Sequence, residues 1–201
     1  MAKLYFRYGA MNSGKSTALM QVAHNYEERG MKVVVIKPRI DTKAKDKISS
    51  RIGIDRQVDH LIDKNEDVRD YIYKLDNVKC VLVDEVQFLS SKQIDQLLFI
   101  TIEKDIPVIC YGIRTDFKLN GFEGSTRLLE IAHSIEEMKT VCKCGRKALF
   151  NARIINGEFV FSGNQVAIDG NDEVTYESLC PKCYFEELEK KNEKIKVRCK
   201  L

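Results

Sequence analysis

Eight residues, Gly9-Ala10-Met11-Asn12-Ser13-Gly14-Lys15-Ser16, constrain what this chain can fold into more than any other stretch. They fit the phosphate-binding loop pattern, two glycines framing four residues and followed by a lysine and a hydroxyl. Such a loop has meaning only between a strand and a helix, and the flanks predict both. Lys3–Tyr8 alternates as a strand does, and Lys15–Arg29 changes to helical period with Ala18, Leu19, Val22, Ala23 and Tyr26 on one side. In that setting the glycines let backbone N–H groups turn inward around phosphate oxygens, and the helix N-terminus adds its partial positive charge. Lys15 is then placed for the β- and γ-phosphates of a nucleoside triphosphate such as ATP, and Ser16 for a magnesium ion.

The rest of the first 140 residues reads as one α/β layer structure. Gly30 supplies a helix stop. Val33–Ile36, Cys80–Val83 and Val108–Tyr111 are short apolar runs of the kind expected in strands covered on both faces. Between the last two, Lys92–Glu103 has helical period through Ile94, Leu97, Leu98 and Ile102. Strand, helix and strand in that order predict a right-handed crossover and hence a parallel sheet with flanking helices, like that of P-loop nucleotide-binding proteins. The polar, lysine-rich stretch 41–54 is expected to be a mobile loop.

A nucleotide site also needs a carboxylate at the end of a neighbouring buried strand, and Val81-Leu82-Val83-Asp84-Glu85 ends in two. Asp84 is expected to hold magnesium through its water shell. Glu85 points the other way and is free to accept a proton from an attacking hydroxyl or to orient a water. The dipeptide alone leaves kinase and ATPase both open.

Seven cysteines, an odd number, suit thiols plus a metal cluster better than a disulfide framework. Cys142 and Cys144 form one close pair and Cys180 and Cys183 another, with 35 residues between them. Four thiolates around one tetrahedral zinc leave no position for an activated water, so the expected ion is structural, a clasp on a long segment. Inside it, Ala152–Ile155, Phe159–Phe161 and Gln165–Ile168 look like short strands separated by Asn156-Gly157, Gly163 and Gly170. Cys80 and Cys110 are expected to be buried small hydrophobes, and Cys199 is a tail thiol without an assigned role. The expected organisation is a nucleotide-binding domain over 1–140, a metal-pinned segment over 141–190 and a flexible tail over 191–201.

Composition excludes some classes of function. With 201 residues, 44% of them hydrophobic, the chain can form a real core. A net charge of +3 gives no field that argues for nucleic acid or a membrane as partner. No apolar run is long enough to span a bilayer, and the opening MAKLYFRYG lacks both an apolar signal core and a cleavage site, so a cytoplasmic location is expected.

The phosphate loop, the strand ending Asp84-Glu85-Val86-Gln87-Phe88, and the cysteine-framed C-terminal segment together resemble the zinc-containing (type II) thymidine kinases, over nearly the whole chain from Leu4 to Cys183. The resemblance implies transfer of the ATP γ-phosphate to the 5′-hydroxyl of thymidine, or of deoxyuridine. It implies Glu85 as general base, Val86 and Gln87 beside it in the nucleotide site, and Phe88 lining the nucleoside pocket. Residues 142–183 correspond to the family's zinc-held lasso over the thymine base, and Tyr176, four positions before Cys180, to its tyrosine. Phe117 and Phe122 match further pocket positions. Asp41-Thr42-Lys43 resembles the family's Asp-Thr-Arg, with Lys43 in place of the arginine, and residues 169–175 run longer than the family's short glycine stretch. A homotetramer and feedback inhibition by dTTP are also implied. The rival reading is a P-loop ATPase whose zinc segment binds nucleic acid or a protein, with Lys37, Arg39, Lys43, Lys45 and Lys47 on phosphates.

Overall fold

Continuous apolar strands need cover on both faces, and the first part of the chain supplies it with helices before and after them. The computed structural model describes residues 1–40, 46–50, 53–165 and 173–198. The expectations for Asp41-Thr42-Lys43, Lys45, residues 166–172 and Cys199 fall outside those residues. The chain divides into two compact units. The first comprises Met1–Tyr8, Gly14–Arg114 and Phe122–Met138, and the second Gly9–Ser13, Thr115–Gly121 and Lys139–Leu201.

In chain order the first unit contains β1 (Leu4–Tyr8), α1 (Lys15–Glu27), β2 (Lys32–Pro38), β3 (Lys47–Ser49), β4 (Asp55–Gln57), β5 (His60–Ile62), α2 (Val68–Ile72), β6 (Val78–Val83), α3 (Ser91–Glu103), β7 (Val108–Gly112), α4 (Glu123–Ile131) and β8 (Ser134–Glu137). Six of these strands form one sheet in the order β5-β2-β6-β7-β1-β8, with every pairing parallel. Successive residues serve opposite faces. Val33, Val35, Cys80 and Leu82 pack with Leu19, Met20 and Ala23 of α1. Val34, Ile36, Val81 and Val83 pack with α2, α3 and α4 through Val68, Ile72, Ile94, Leu97, Ile100 and Leu128.

Local chemistry sets the ends of these helices. Ser90 and Gln93 form a reciprocal capping box at the start of α3, and Gly30, at φ 69°, closes the turn after α1. The buried stripe of α3 differs in one position from its periodicity, since Ile102 is exposed and Ile100 and Thr101 are buried instead. The stripe starting at Ile94 and Leu97 continues three residues on to Ile100. The expected loop over 41–54 also needs correction, because Lys47–Ser49 pairs antiparallel with Asp55–Gln57 and buries Ile48 to 1% exposure. Three-residue strands anchored by one apolar side chain are too short for alternation to reveal.

The second unit holds β9 (Thr140–Val141), β10 (Lys147–Ala148), β11 (Phe150–Ile155), β12 (Glu158–Val160), β13 (Val174–Leu179) and α5 (Pro181–Arg198). β11 is the centre of a three-stranded antiparallel sheet, β12-β11-β13, and β9 pairs with β10. Asn156 and Gly157, at φ 49° and 81°, form the two-residue turn joining β11 to β12, the positive-φ pair that Asn-Gly favours. A small core of Ala148, Ala152, Leu179 and Tyr184 adjoins the buried Cys142, Cys180 and Cys183. Among the described residues no helix is long and apolar enough to cross a membrane.

Candidate active site

The phosphate loop runs through both units, with Gly9–Ser13 in the second and Gly14 onward in the first. In the first unit, Gly14 takes the left-handed conformation at the N-cap of α1, at φ 78°. Lys15 follows at 9% exposure. Burial pulls its ammonium below the ordinary lysine range, while the charges of Glu85 and Asp84 pull it back up. One buried cation and two carboxylates therefore share a local field at the end of β6. Asp84 is buried and Glu85 half-buried, and Ser16 with Asp84 supplies the hard oxygen donors that magnesium prefers.

Glu85 adopts a left-handed backbone conformation, φ 49°, at the start of the short 3₁₀ turn Val86–Phe88. That geometry costs a non-glycine residue roughly 1–2 kcal/mol, so the surroundings must impose it. Gln87, 2% exposed, donates from Nε2 to the Glu85 carboxylate and accepts the N–H of Ile113 on Oε1 at 3.2 Å. Gly112 makes room for this arrangement, since a Cβ there would stand 2.5 Å from Gln87 Oε1. Phe88 and Phe122 meet edge to face with centroids 5.7 Å apart.

Within the second unit the loop is held by side chains far away in sequence. The Met11 N–H donates to Asn151 Oδ1 at 2.7 Å, Ser178 Oγ donates to the Met11 carbonyl, and Thr140 Oγ1 donates to the Asn12 carbonyl at 3.3 Å. Phe117 is buried, and the Arg153 guanidinium lies 3.7 Å from its ring centroid. Arg153 also donates to Tyr176 Oη at 3.0 Å and to the carbonyls of Asn164 and Gln165, both at 2.8 Å. Phe117 and Tyr176, matched to the family pocket by sequence, thus meet one buried arginine that motif reading missed. A lone arginine in a strand carries no signal of its own. Asn151 and Ser178 were missed for the same reason.

The four cysteines Cys142, Cys144, Cys180 and Cys183 bring their sulfurs within 4.8 Å of one another. Tetrahedral zinc at Zn–S of ~2.3 Å needs sulfurs ~3.8 Å apart, and Cys144 and Cys180 stand at 3.6 Å. The donor set therefore fits one thiophilic ion. A hydrogen bond from the Cys183 backbone is the main influence that lowers the Cys180 thiol, while the neighbouring sulfur of Cys144 is the main one raising Cys183. Cys80 and Cys110 are fully buried, and burial pushes the Cys80 thiol up to about 12 and Cys110 well above its ordinary range. Both are inert packing groups.

The basic residues named for the rival reading do not form a free stripe among the described residues. Lys37 is 0% exposed and donates to the Lys47 carbonyl at 3.0 Å, and Arg39 pairs with Asp63.

A family model described as thymidine kinase matches residues 2–184. A thymidine kinase of Idiomarina loihiensis is 49% identical over 191 residues, 92% of this chain and 97% of that relative. One of Shewanella oneidensis is 47% identical over 190 residues, covering 92% and 98%, and one of Francisella tularensis subsp. holarctica is 43% identical over 194 residues, covering 92% and 98%. With the phosphate loop, the Asp84-Glu85 strand end and the four-cysteine cluster in one chain, and a match that leaves out only Met1 and residues 185–201, the chain belongs to the thymidine kinase family and is a nucleoside kinase.

Proposed function

We propose that the chain transfers the γ-phosphoryl group of ATP to the 5′-hydroxyl of thymidine, and of deoxyuridine, giving dTMP for nucleotide salvage. The observation that carries this reading is the shared field of Lys15, Asp84 and Glu85, one buried cation beside two carboxylates. Phosphoryl transfer leaves a protein little covalent work, so positioning and charge supply most of the rate. Gly9 through Ser16 cradle the triphosphate, and Lys15 neutralises charge on its outer phosphates. Ser16 and Asp84 would hold magnesium, which adds charge neutralisation across those phosphates. Glu85 takes the proton of the 5′-hydroxyl, with Val86 and Gln87 framing it.

Phe88, Phe117, Phe122 and Tyr176 line the nucleoside pocket in this reading, and residues 142–183 close over the base. Zinc on Cys142, Cys144, Cys180 and Cys183 would clasp the lasso without entering the chemistry. The functional division is a nucleotide-binding domain over 1–140, a lasso over 141–190 and a tail over 191–201. The family resemblance also supports a homotetramer, feedback inhibition by dTTP, a cytoplasmic location and no nucleic acid partner. The test is radiolabelled ATP incubated with each of the four deoxynucleosides, and with thymidine against single-stranded DNA. Labelled thymidine and deoxyuridine monophosphates are expected. ATP consumption that leaves every pyrimidine nucleoside unmodified overturns the reading.

A further inference from the structure

In antiparallel β11 and β13, Asn151 stands opposite Ser178, and Arg153 stands opposite Tyr176. Residues two apart on a strand share a face, so both pairs lie on one side of the sheet. Three of the four side chains are almost fully buried, Asn151 at 3%, Ser178 at 6% and Arg153 at 3% exposure. Asn151 and Ser178 hold the phosphate loop, and Arg153 holds Phe117, the carbonyls of Asn164 and Gln165, and Tyr176 opposite it.

We propose that Asn151 and Ser178 are positioning residues for the triphosphate, which set the shape of the phosphate loop by gripping the Met11 backbone from both sides. The N–H and C=O of one residue belong to consecutive peptide planes. Fixing both fixes φ and ψ of Met11, and the bond from Thr140 to the Asn12 carbonyl fixes the next plane. Asn12 needs that help, since it sits at φ 65°, a left-handed conformation that a non-glycine residue avoids. The Met11 N–H is spent on Asn151 and so serves as an anchor for the loop. A bond to a buried acceptor whose loss leaves a donor unsatisfied is the kind that matters most. A loop pre-shaped in this way binds triphosphate without first having to be ordered.

This inference rests on the reading that residues 9–16 hold ATP, and its test is chosen to fail separately from that reading. The dissociation constant of a non-hydrolysable ATP analogue is measured without nucleoside, together with bound zinc per chain, for the full-length protein and for Asn151→Ala, Ser178→Ala, Asn151→Asp and Ser178→Thr. The alanine variants are expected to weaken analogue binding about 5- to 10-fold at unchanged zinc content, in line with the net worth of a single buried hydrogen bond. The aspartate and threonine variants, which keep an acceptor and a donor, recover most of the loss. Analogue binding at the wild-type level in both alanine variants overturns the proposal, as does weakening that appears only with loss of zinc. Should either alanine variant fail to fold, Thr140→Val, which removes only the grip on Asn12, decides the matter, with two- to fivefold weaker analogue binding expected and unchanged binding overturning it. A wild-type protein that binds the analogue and phosphorylates no nucleoside overturns the proposed function and leaves this inference to the binding constants alone.

Discussion

Gln87 donates a hydrogen bond from its side-chain amide to the carboxylate of Glu85, and its own orientation is set from behind by the N–H of Ile113, 3.2 Å from Oε1. That backbone donor settles which end of the amide is oxygen, and so which end faces Glu85. One carboxylate oxygen is thereby held. The left-handed backbone of Glu85 and the buried Gln87 hold that carboxylate in one orientation, as the proposed role of a base requires.

Replacing Glu85 with glutamine keeps the shape and removes the base. Turnover should fall by a factor on the order of 10² or more, the usual range for a general base, while the affinity for a non-hydrolysable ATP analogue changes little. Steady-state kinetics and analogue titration on the same preparation check both parts, and unimpaired turnover removes Glu85 from the role.

Gly112→Ala places a methyl group 2.5 Å from Gln87 Oε1, so the amide must move away from Ile113 or from Glu85. We expect kcat to drop about tenfold with the KM for ATP nearly unchanged, as for an interaction made mainly in the transition state. An equal rise in KM with kcat preserved would show that the crowding acts on nucleotide binding instead.

Arg153→Lys keeps the positive charge and loses the planar fork that serves Tyr176, Asn164 and Gln165 together while stacking on Phe117. The KM for thymidine should rise about tenfold or more, with the KM for ATP changed much less. Equal effects on the two substrates would place the arginine in general folding rather than in the nucleoside pocket.

Removing the metal should unfold the second unit's core locally, because Cys142, Cys180 and Cys183 are part of it. Treatment with a strong chelator is expected to lower the melting temperature and abolish nucleoside phosphorylation, with recovery on adding zinc. An activity indifferent to stoichiometric zinc loss would contradict a clasp.

Alkaline stability should be limited by the buried thiols of Cys80, raised from 9.0 to about 12 chiefly by burial, and of Cys110, raised well above its ordinary range by the same cause. The folded state then holds a proton that the unfolded state has lost, so stability is full below about pH 9 and falls as pH rises toward 12, by up to about 1.4 kcal/mol per pH unit for one such thiol. Cys80→Val should remove one thiol's share of that decline in urea melts between pH 9 and 11, and a parallel decline would show that other groups dominate.

Much of the first unit could be read directly along the chain. Strands β2, β6 and β7 carry apolar runs and α1 and α3 carry clear helical period, because each of these elements' burial is written in its own side chains. β3, β4, β5, β8, β13, α2 and α4 were not legible that way. Ile48 anchors a strand of three residues, and Val174–Leu179 mixes an exposed Thr175 with a buried Ser178, so no simple alternation of apolar and polar residues marks it. The site divides along the same line. Residues 9–16, Asp84-Glu85 and the cysteine pairs announce themselves by type and spacing, since phosphate, proton and thiophilic metal each demand particular groups close together in the chain.

What the linear order of residues settles is the chemistry available: a loop for phosphate, a pair of acids at a strand end, four sulfurs for one ion. Folding in three dimensions settles how those groups are held. Asn151 and Ser178 reach Met11 across more than a hundred residues of sequence, and Arg153 gathers Phe117, Tyr176 and two carbonyls. Such partners leave no local pattern, because a hydrogen bond depends on distance in space and is indifferent to separation along the chain.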